Sequence, residues 1–348
     1  METRLASGLC SLVFGLTAWN QAFGDCTIQM FDLPVTVERN RALLSGEING
    51  QLIKIFVDTG SANSFIWRSE AKRLGLEVWD SSAVAMAVGG SIHLQHALVK
   101  QLTLGKLTAS NVDFTVVGRD NPQPDLPAVV LGENFFSRYS SEFDLRHGAI
   151  RLMHAKGCEP GQMVYWSKTY SLAKLTRPVA DGNEIRPEIM LNGKPLSALL
   201  DSGAFTSVVT TGAAARANVT PEMPGVTATG SVTGVGPHAA KSWVGTFDRF
   251  AIGDEQIHNA NLRIADIFGY DASPHIGSRI AVVANDLPSM LIGADFFMSH
   301  RIVVPESGRD MVFTYEGGAV FQTIHKESDP IEKATASSAQ APDGASTN

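Results

Sequence analysis

Short alternating runs of apolar and polar residues set the character of the chain. Thr27–Met30, Val35–Glu38, Leu43–Ile48 and Leu52–Val57 alternate and are separated by turn residues. A period of two places every second side chain on one face, so these runs predict short strands joined by tight turns. Val84–Leu94 and Gly230–Trp243 read as hairpins, with Gly89-Gly90 and Gly234/Gly236 at their tips. Glu142–Met153, turning near His147-Gly148, and Arg301–Thr314, turning at Ser307-Gly308, read as two more. Tyr165–Leu175 alternates again and is predicted to open the second half as a strand. Helical pattern is confined to short pieces. Ser69–Leu74, with Ser69 as N-cap and Gly75 as the stop, is one; Gly212–Ala217, after Ser207–Val209, is the other. The fold class this predicts is all-β.

The pattern occurs twice. Ile55-Phe56-Val57-Asp58-Thr59-Gly60-Ser61 returns as Ala198-Leu199-Leu200-Asp201-Ser202-Gly203-Ala204. Asn-Gly, a hairpin signal, stands nine residues before each aspartate, at Asn49-Gly50 and Asn192-Gly193. Leu104-Gly105 and Ile252-Gly253 follow, then Val130-Leu131-Gly132 with Phe135-Phe136, matched by Leu291-Ile292-Gly293 with Phe296-Phe297. The second copy is longer, and Ala265–Ser289, rich in Gly, Pro, Asp and Ser, reads as the loop that holds the excess.

With 348 residues, 44% of them hydrophobic, the chain can bury two sizeable cores. A net charge of −7 without a basic block excludes nucleic acid as an expected partner. Arg4, the apolar run Leu5–Trp19 and Ala22-Phe23-Gly24 read as a secretory signal cut after Gly24, with an uncleaved anchor as the alternative. The mature chain is therefore expected to be exported, periplasmic or secreted. It keeps Cys26 and Cys158, an isolated pair expected to form a disulfide; two buried free thiols are the alternative. The organisation read is signal 1–24, first lobe 25–158, second lobe 159–325 and a polar, aperiodic tail 326–348.

Each aspartate ends an apolar run, where a carboxylate is costly unless it is hydrogen-bonded or does chemistry. One aspartate in a turn reads as a cap. Two in register read as one shared site. The motifs resemble those of aspartic peptidases, in particular the retropepsin-like branch, in which each lobe gives one Asp-Thr/Ser-Gly turn and a bracing apolar-apolar-Gly strand. The resemblance covers nearly all of the chain after residue 25. It implies a two-lobed acid-protease fold with two retropepsin-like β-barrel lobes paired within one chain, as a monomer. It also implies a peptide or protein substrate, no cofactor, and an endopeptidase that activates water between Asp58 and Asp201. In that frame Thr59 and Ser202 would bond across the lobe interface, and Gly60 and Gly203 would supply N–H groups near the carboxylates. Ser61 would hydrogen-bond Asp58 from outside, where Ala204 has no hydroxyl to match. Gly89, Gly90, Gly234 and Gly236 would lie in two substrate-covering flaps.

No basic inhibitory prosegment precedes the first strands, so activation by its removal is not expected. The chain has no HExxH, no GxSxG and no His/Cys set at ligand spacing, so neither zinc nor serine chemistry is expected. Gly234-Val235-Gly236-Pro237-His238-Ala239 matches a loose dinucleotide pattern but opens no helix. The rival reading is a non-catalytic peptide- or protein-binding protein on the same scaffold.

Overall fold

Asn49 and Gly50 both adopt positive φ, 49° and 78°, and close a tight hairpin between Arg41–Ile48 and Gln51–Val57. Asn192 and Gly193, at 48° and 75°, do the same between Arg186–Leu191 and Lys194–Leu200. The computed structural model describes residues 26–118, 127–176, 183–268 and 287–321. The proposed leader, the tail and most of Ala265–Ser289 lie outside them. Among the described residues no helix is long and apolar enough to cross a membrane.

The second strand of each hairpin ends at an aspartate. Ile55–Val57 lie parallel to Val129–Leu131, and Ala198–Leu200 lie parallel to Met290–Ile292. These segments are buried, so their sequence is continuously apolar instead of alternating. Phe65–Trp67 and Val208–Val209 then pair antiparallel to the same bracing strands. The long antiparallel pairs Gly90–Leu104 with Leu107–Val117, and Ala240–Ile252 with Glu255–Ala265, complete each half. The fold is the all-β, two-lobed one that the repeat implies.

The two closing hairpins merge into one sheet that joins the halves. Ser140–Asp144 pairs with Ala149–Lys156, His300–Val304 pairs with Asp310–Tyr315, and Ser141, Glu142 and Phe143 face Val304, Val303 and Ile302. Glu142 and Val303 are separated by the same 161 residues as Gly132 and Gly293, so equivalent positions of the repeat pair with each other. A pseudo-two-fold axis passes between them. Thr27–Pro34 adds an edge strand, and Ser171–Thr176 continues the sheet into the second lobe by pairing with Arg186–Leu191.

Three local expectations change. The first helix is Arg68–Arg73, with Trp67 at its N-cap, so Ser69 lies inside it and caps nothing. Its counterpart, Thr211–Arg216, is capped by the Thr210 hydroxyl, which accepts from the Ala213 N–H at 3.3 Å. Of Tyr165–Leu175, only the part from Ser171 is strand. Tyr165 and Trp166 instead cover the joining sheet: the Tyr165 hydroxyl donates to buried Glu142 at 3.0 Å, and the Arg301 guanidinium lies 3.9 Å from the Trp166 ring centre. Their alternation reflects packing against that sheet, not pairing within it.

Cys26 and Cys158 are joined, with Cα atoms 4.6 Å apart, which removes the free-thiol alternative. The bond extends a pairing already present, since Thr27 faces Lys156.

Candidate active site

The two aspartate turns meet where the lobes face each other. The carboxyls of Asp58 and Asp201 lie close enough to each other for a hydrogen bond between them to bear on both their pKa values. In each turn one carboxylate oxygen accepts two backbone N–H bonds. Asp58 Oδ1 takes those of Gly60 and Ser61, at 3.0 and 3.1 Å. Asp201 Oδ1 takes those of Gly203 and Ala204, at 2.9 and 3.0 Å. The other oxygens remain for each other and for a reacting group.

The hydroxyl residues beside the aspartates lock the turns together. Thr59 Oγ1 donates to the Leu200 carbonyl at 2.7 Å and accepts from the Ser202 N–H at 3.0 Å. Ser202 Oγ donates to the Val57 carbonyl at 3.0 Å and accepts from the Thr59 N–H at 3.1 Å. Thr59 and Ser202 are fully buried. Four reciprocal bonds of this kind fix one turn against the other, because leaving any of these groups unpaired in the interior is costly.

Glycine is required here by close approach. A Cβ on Gly60 would stand 2.3 Å from Cγ of Asp201, and one on Gly203 would stand 2.4 Å from Cγ of Asp58. Each glycine therefore makes room for the carboxylate of the opposite lobe. The glycines of the two hairpins expected to be flaps have a similar reason. Gly89 and Gly90 adopt φ of 91° and 118° at the tip of the hairpin Val78–Ala87/Gly90–Leu104. That tip meets the 234–238 loop of the second lobe: the Gly236 N–H donates to the Val88 carbonyl and the His238 N–H to the Gly89 carbonyl, both at 2.9 Å. A Cβ on Gly236 would fall 2.3 Å from the Gly89 carbonyl carbon, and one on Gly234 would fall 2.5 Å from Val88 Cβ.

Ser61 differs from expectation. Its hydroxyl turns outward and donates to the Asn63 carbonyl at 2.8 Å, so only its N–H holds Asp58. Ala204 does the same with its own N–H, and the two turns are alike in this respect.

Burial, the charge of Asp201 and the hydrogen bond between the two hold the Asp58 carboxyl well above the usual carboxylate range. Burial also raises Asp201, opposed by its two backbone bonds, the bond to Asp58 and the charge of Arg41. Two such groups titrate as one pair. They keep one proton at a pH where separate carboxyls would have lost both, because two negative charges so close repel.

Two residues near the pair carry no motif that marks them in the sequence. Leu43 pairs with Phe56, so the same register two residues on sets Arg41 against Asp58. Its guanidinium lies 5.4 Å from the Phe56 ring centre and its charge reaches Asp201. The hairpin register held this signal. Glu133, directly after Gly132, is buried, and burial followed by the charge of Asp58 raises it well above the usual range. Nothing in an LGE triplet marks it in advance. Among the described residues no group of three His, Cys, Asp or Glu side chains is arranged to hold a metal ion.

A family model described as aspartyl protease matches residues 44–135 and again 188–296, together more than half of the chain. No curated protein matches the chain. Among solved structures, an aspartic proteinase from Irpex lacteus is similar at 12% identity, covering 82% of this chain and 97% of its own, with a TM-score of 0.49. A retropepsin-like aspartic protease from Rickettsia conorii is similar at 19% identity, covering 38% of this chain and 96% of its own, with a TM-score of 0.27. Two matches to one family model, one around each aspartate turn, carry the assignment: the chain belongs to the aspartyl protease family, with two copies of the unit in one polypeptide.

Proposed function

We propose that the protein is an aspartic endopeptidase that hydrolyses peptide bonds with a water molecule held between Asp58 and Asp201. The observation that carries this reading is the close approach of the two aspartate turns, each glycine leaving room for the other lobe's carboxylate, with both carboxyls held above the usual range. Amide hydrolysis needs a base to activate water and an acid to polarise the carbonyl, and one shared proton provides both roles. The charge of Arg41 favours leaving the negative charge on Asp201, so Asp201 takes the proton of the water while Asp58 donates to the substrate carbonyl. The tetrahedral intermediate is a neutral gem-diol. As the C–N bond breaks, Asp201 passes its proton to the departing nitrogen and a gem-diol hydroxyl returns one to Asp58, so acid and amine leave and the pair again holds its single proton.

The peptide lies extended in the cleft, beneath the two flaps. Because the flap tips hydrogen-bond each other, they part before substrate enters. Residues 25–158 and 159–325 act as the two lobes, paired within a monomer. The Cys26–Cys158 bond supports an exported, oxidising setting. Cleavage of a mixed peptide library between pH 3 and 7 tests the reading, beside Asp58→Asn and Asp201→Asn. Cleavage lost in both folded variants supports it. A wild type that binds peptide but cuts nothing at any pH replaces it with the binding-scaffold reading.

A further inference from the structure

Each lobe carries a small apolar cluster beside its aspartate turn, separate from the main core. In the first lobe it holds Phe56, Phe65, Val117 and Val130. In the second it holds Leu199, Val208, Ala265 and Leu291 at the matching positions of the repeat. Phe56 and Phe65 both pair with Val130, as Leu199 and Val208 both pair with Leu291, and Val117 and Ala265 end equivalent strands. The second cluster is therefore poorer by about eight side-chain carbons, a gap that close-packed protein does not leave empty.

Ile267 and Phe268 stand in that gap. They open the stretch between Ala265 and Met290, which is longer than its counterpart between Val117 and Val129 and so is not supplied by the repeat. Ile267 is fully buried in the second cluster, and its carbonyl accepts the Gly89 N–H at 3.2 Å. Phe268 packs against the same cluster but stays only half-buried. Two further members of its surroundings place it in the cleft. Ala204 packs there too, and its N–H holds Asp201 Oδ1 at 3.0 Å. Val88, at the tip of the first-lobe hairpin, packs there from the other side. Leu199, two residues before Asp201, points to the same side of its strand as that carboxylate. The cluster thus runs from the Asp201 turn to the hairpin tip, the space in which a peptide at the aspartate pair has to lie.

We propose that Phe268 is a specificity-determining residue: it completes the second-lobe wall of the peptide cleft and limits the size of the apolar side chain accepted on one side of the cut. The inference rests on the endopeptidase reading and names one residue class of its substrate. Ile267 anchors the pair of residues, and the Phe268 ring meets the peptide. In the first lobe the rings of Phe56 and Phe65 belong to the repeat itself, so removing Phe268 enlarges one wall and leaves the other as it was.

The test is kcat/KM on peptides cleaved at one bond, with Leu or Trp placed in turn at each of the two positions before and after the cut. In Phe268→Ala, checked for folding, the ratio of Trp to Leu is expected to rise about tenfold or more at a position on one side of the cut, the usual worth of a few carbons in an apolar pocket. Phe268→Leu is expected to raise it less at the same position. Ratios that all stay within about twofold overturn the proposal. So do ratios that rise alike on both sides, since Phe268 would then only brace the Val88 tip. Should Phe268→Ala not fold, Phe268→Leu decides by the same comparison. Should wild type cleave nothing, the endopeptidase reading fails by itself, and the same peptides are measured for binding by fluorescence anisotropy. A one-sided tenfold change in the ratio of Kd values then supports the role of Phe268, and unchanged ratios overturn it.

Discussion

Adding one carbon at Gly60 or Gly203 tests the site geometry without touching either aspartate. In Gly60→Ala the new Cβ would lie 2.3 Å from Cγ of Asp201 and 2.4 and 2.7 Å from its oxygens. Carbon atoms settle at about 3.5–4.0 Å, so the opposing carboxylate has to withdraw by roughly 1.2 Å or more. It cannot do so freely, because Gly203 and Ala204 hold its inner oxygen and the Thr59–Ser202 bonds hold the turns. Overpacking of this kind costs about 1–3 kcal/mol of stability. A misplacement of about 1 Å in a reacting group costs roughly a hundredfold in rate. Gly60→Ala and Gly203→Ala are therefore each expected to lose about a hundredfold or more in kcat/KM on a peptide substrate, with a lower urea midpoint. Gly50→Ala is the control. Gly50 has φ of 78° and open space around it, so alanine there costs about 1–2 kcal/mol of backbone strain and leaves the cleft alone. Wild-type kcat/KM in Gly60→Ala, with folding intact, would show that the two turns do not approach as described.

Three further outcomes follow from the same contacts. Thr59→Val removes one donor and one acceptor at the buried lobe interface and is expected to cost about 2–4 kcal/mol in urea unfolding, against little for an exposed Thr. Asp58, Asp201 and Glu133 all have raised folded-state pKa values, so the folded chain keeps protons that the unfolded chain releases near pH 4. Their contribution to stability is full below that pH and declines as pH rises through the raised values; Glu133→Gln should lose less stability than wild type between pH 4 and 8, and an equal or greater loss contradicts the assignment. Reducing Cys26–Cys158, which closes a separation of 132 residues, is expected to lower unfolding free energy by up to about 5 kcal/mol, read as a drop in urea midpoint under reductant.

Much of the site is local in sequence, which is why it was legible there. An apolar run ending in Asp-Thr-Gly or Asp-Ser-Gly fixes a strand, a turn and a carboxylate within seven residues, and its repetition fixes the pairing. What escaped depends on partners distant in the chain. The Ser61 hydroxyl donates to the Asn63 carbonyl, and local pattern does not choose between that acceptor and Asp58. Arg41 matters through the register of a hairpin and the approach of the opposite lobe. Glu133 is an ordinary surface residue type that burial makes unusual. The sheet joining the lobes pairs Glu142 with Val303, and alternation alone cannot say that two closing hairpins share one sheet. Local pattern gives glycine at 60 and 203 the role of turning the chain and offering an N–H, whereas the space beside each is taken by a carboxylate from the other lobe.

The central claim is that Asp58 and Asp201 form one catalytic unit. It is tested most directly by kcat/KM on one cleaved peptide for Asp58→Asn, Asp201→Asn and the double variant, each shown to be folded. Residues that act as a unit are strongly non-additive. If the two aspartates share one site, either single change abolishes cleavage and the double variant is no worse. A single variant that retains activity, or two partial losses that multiply in the double variant, would contradict a shared dyad.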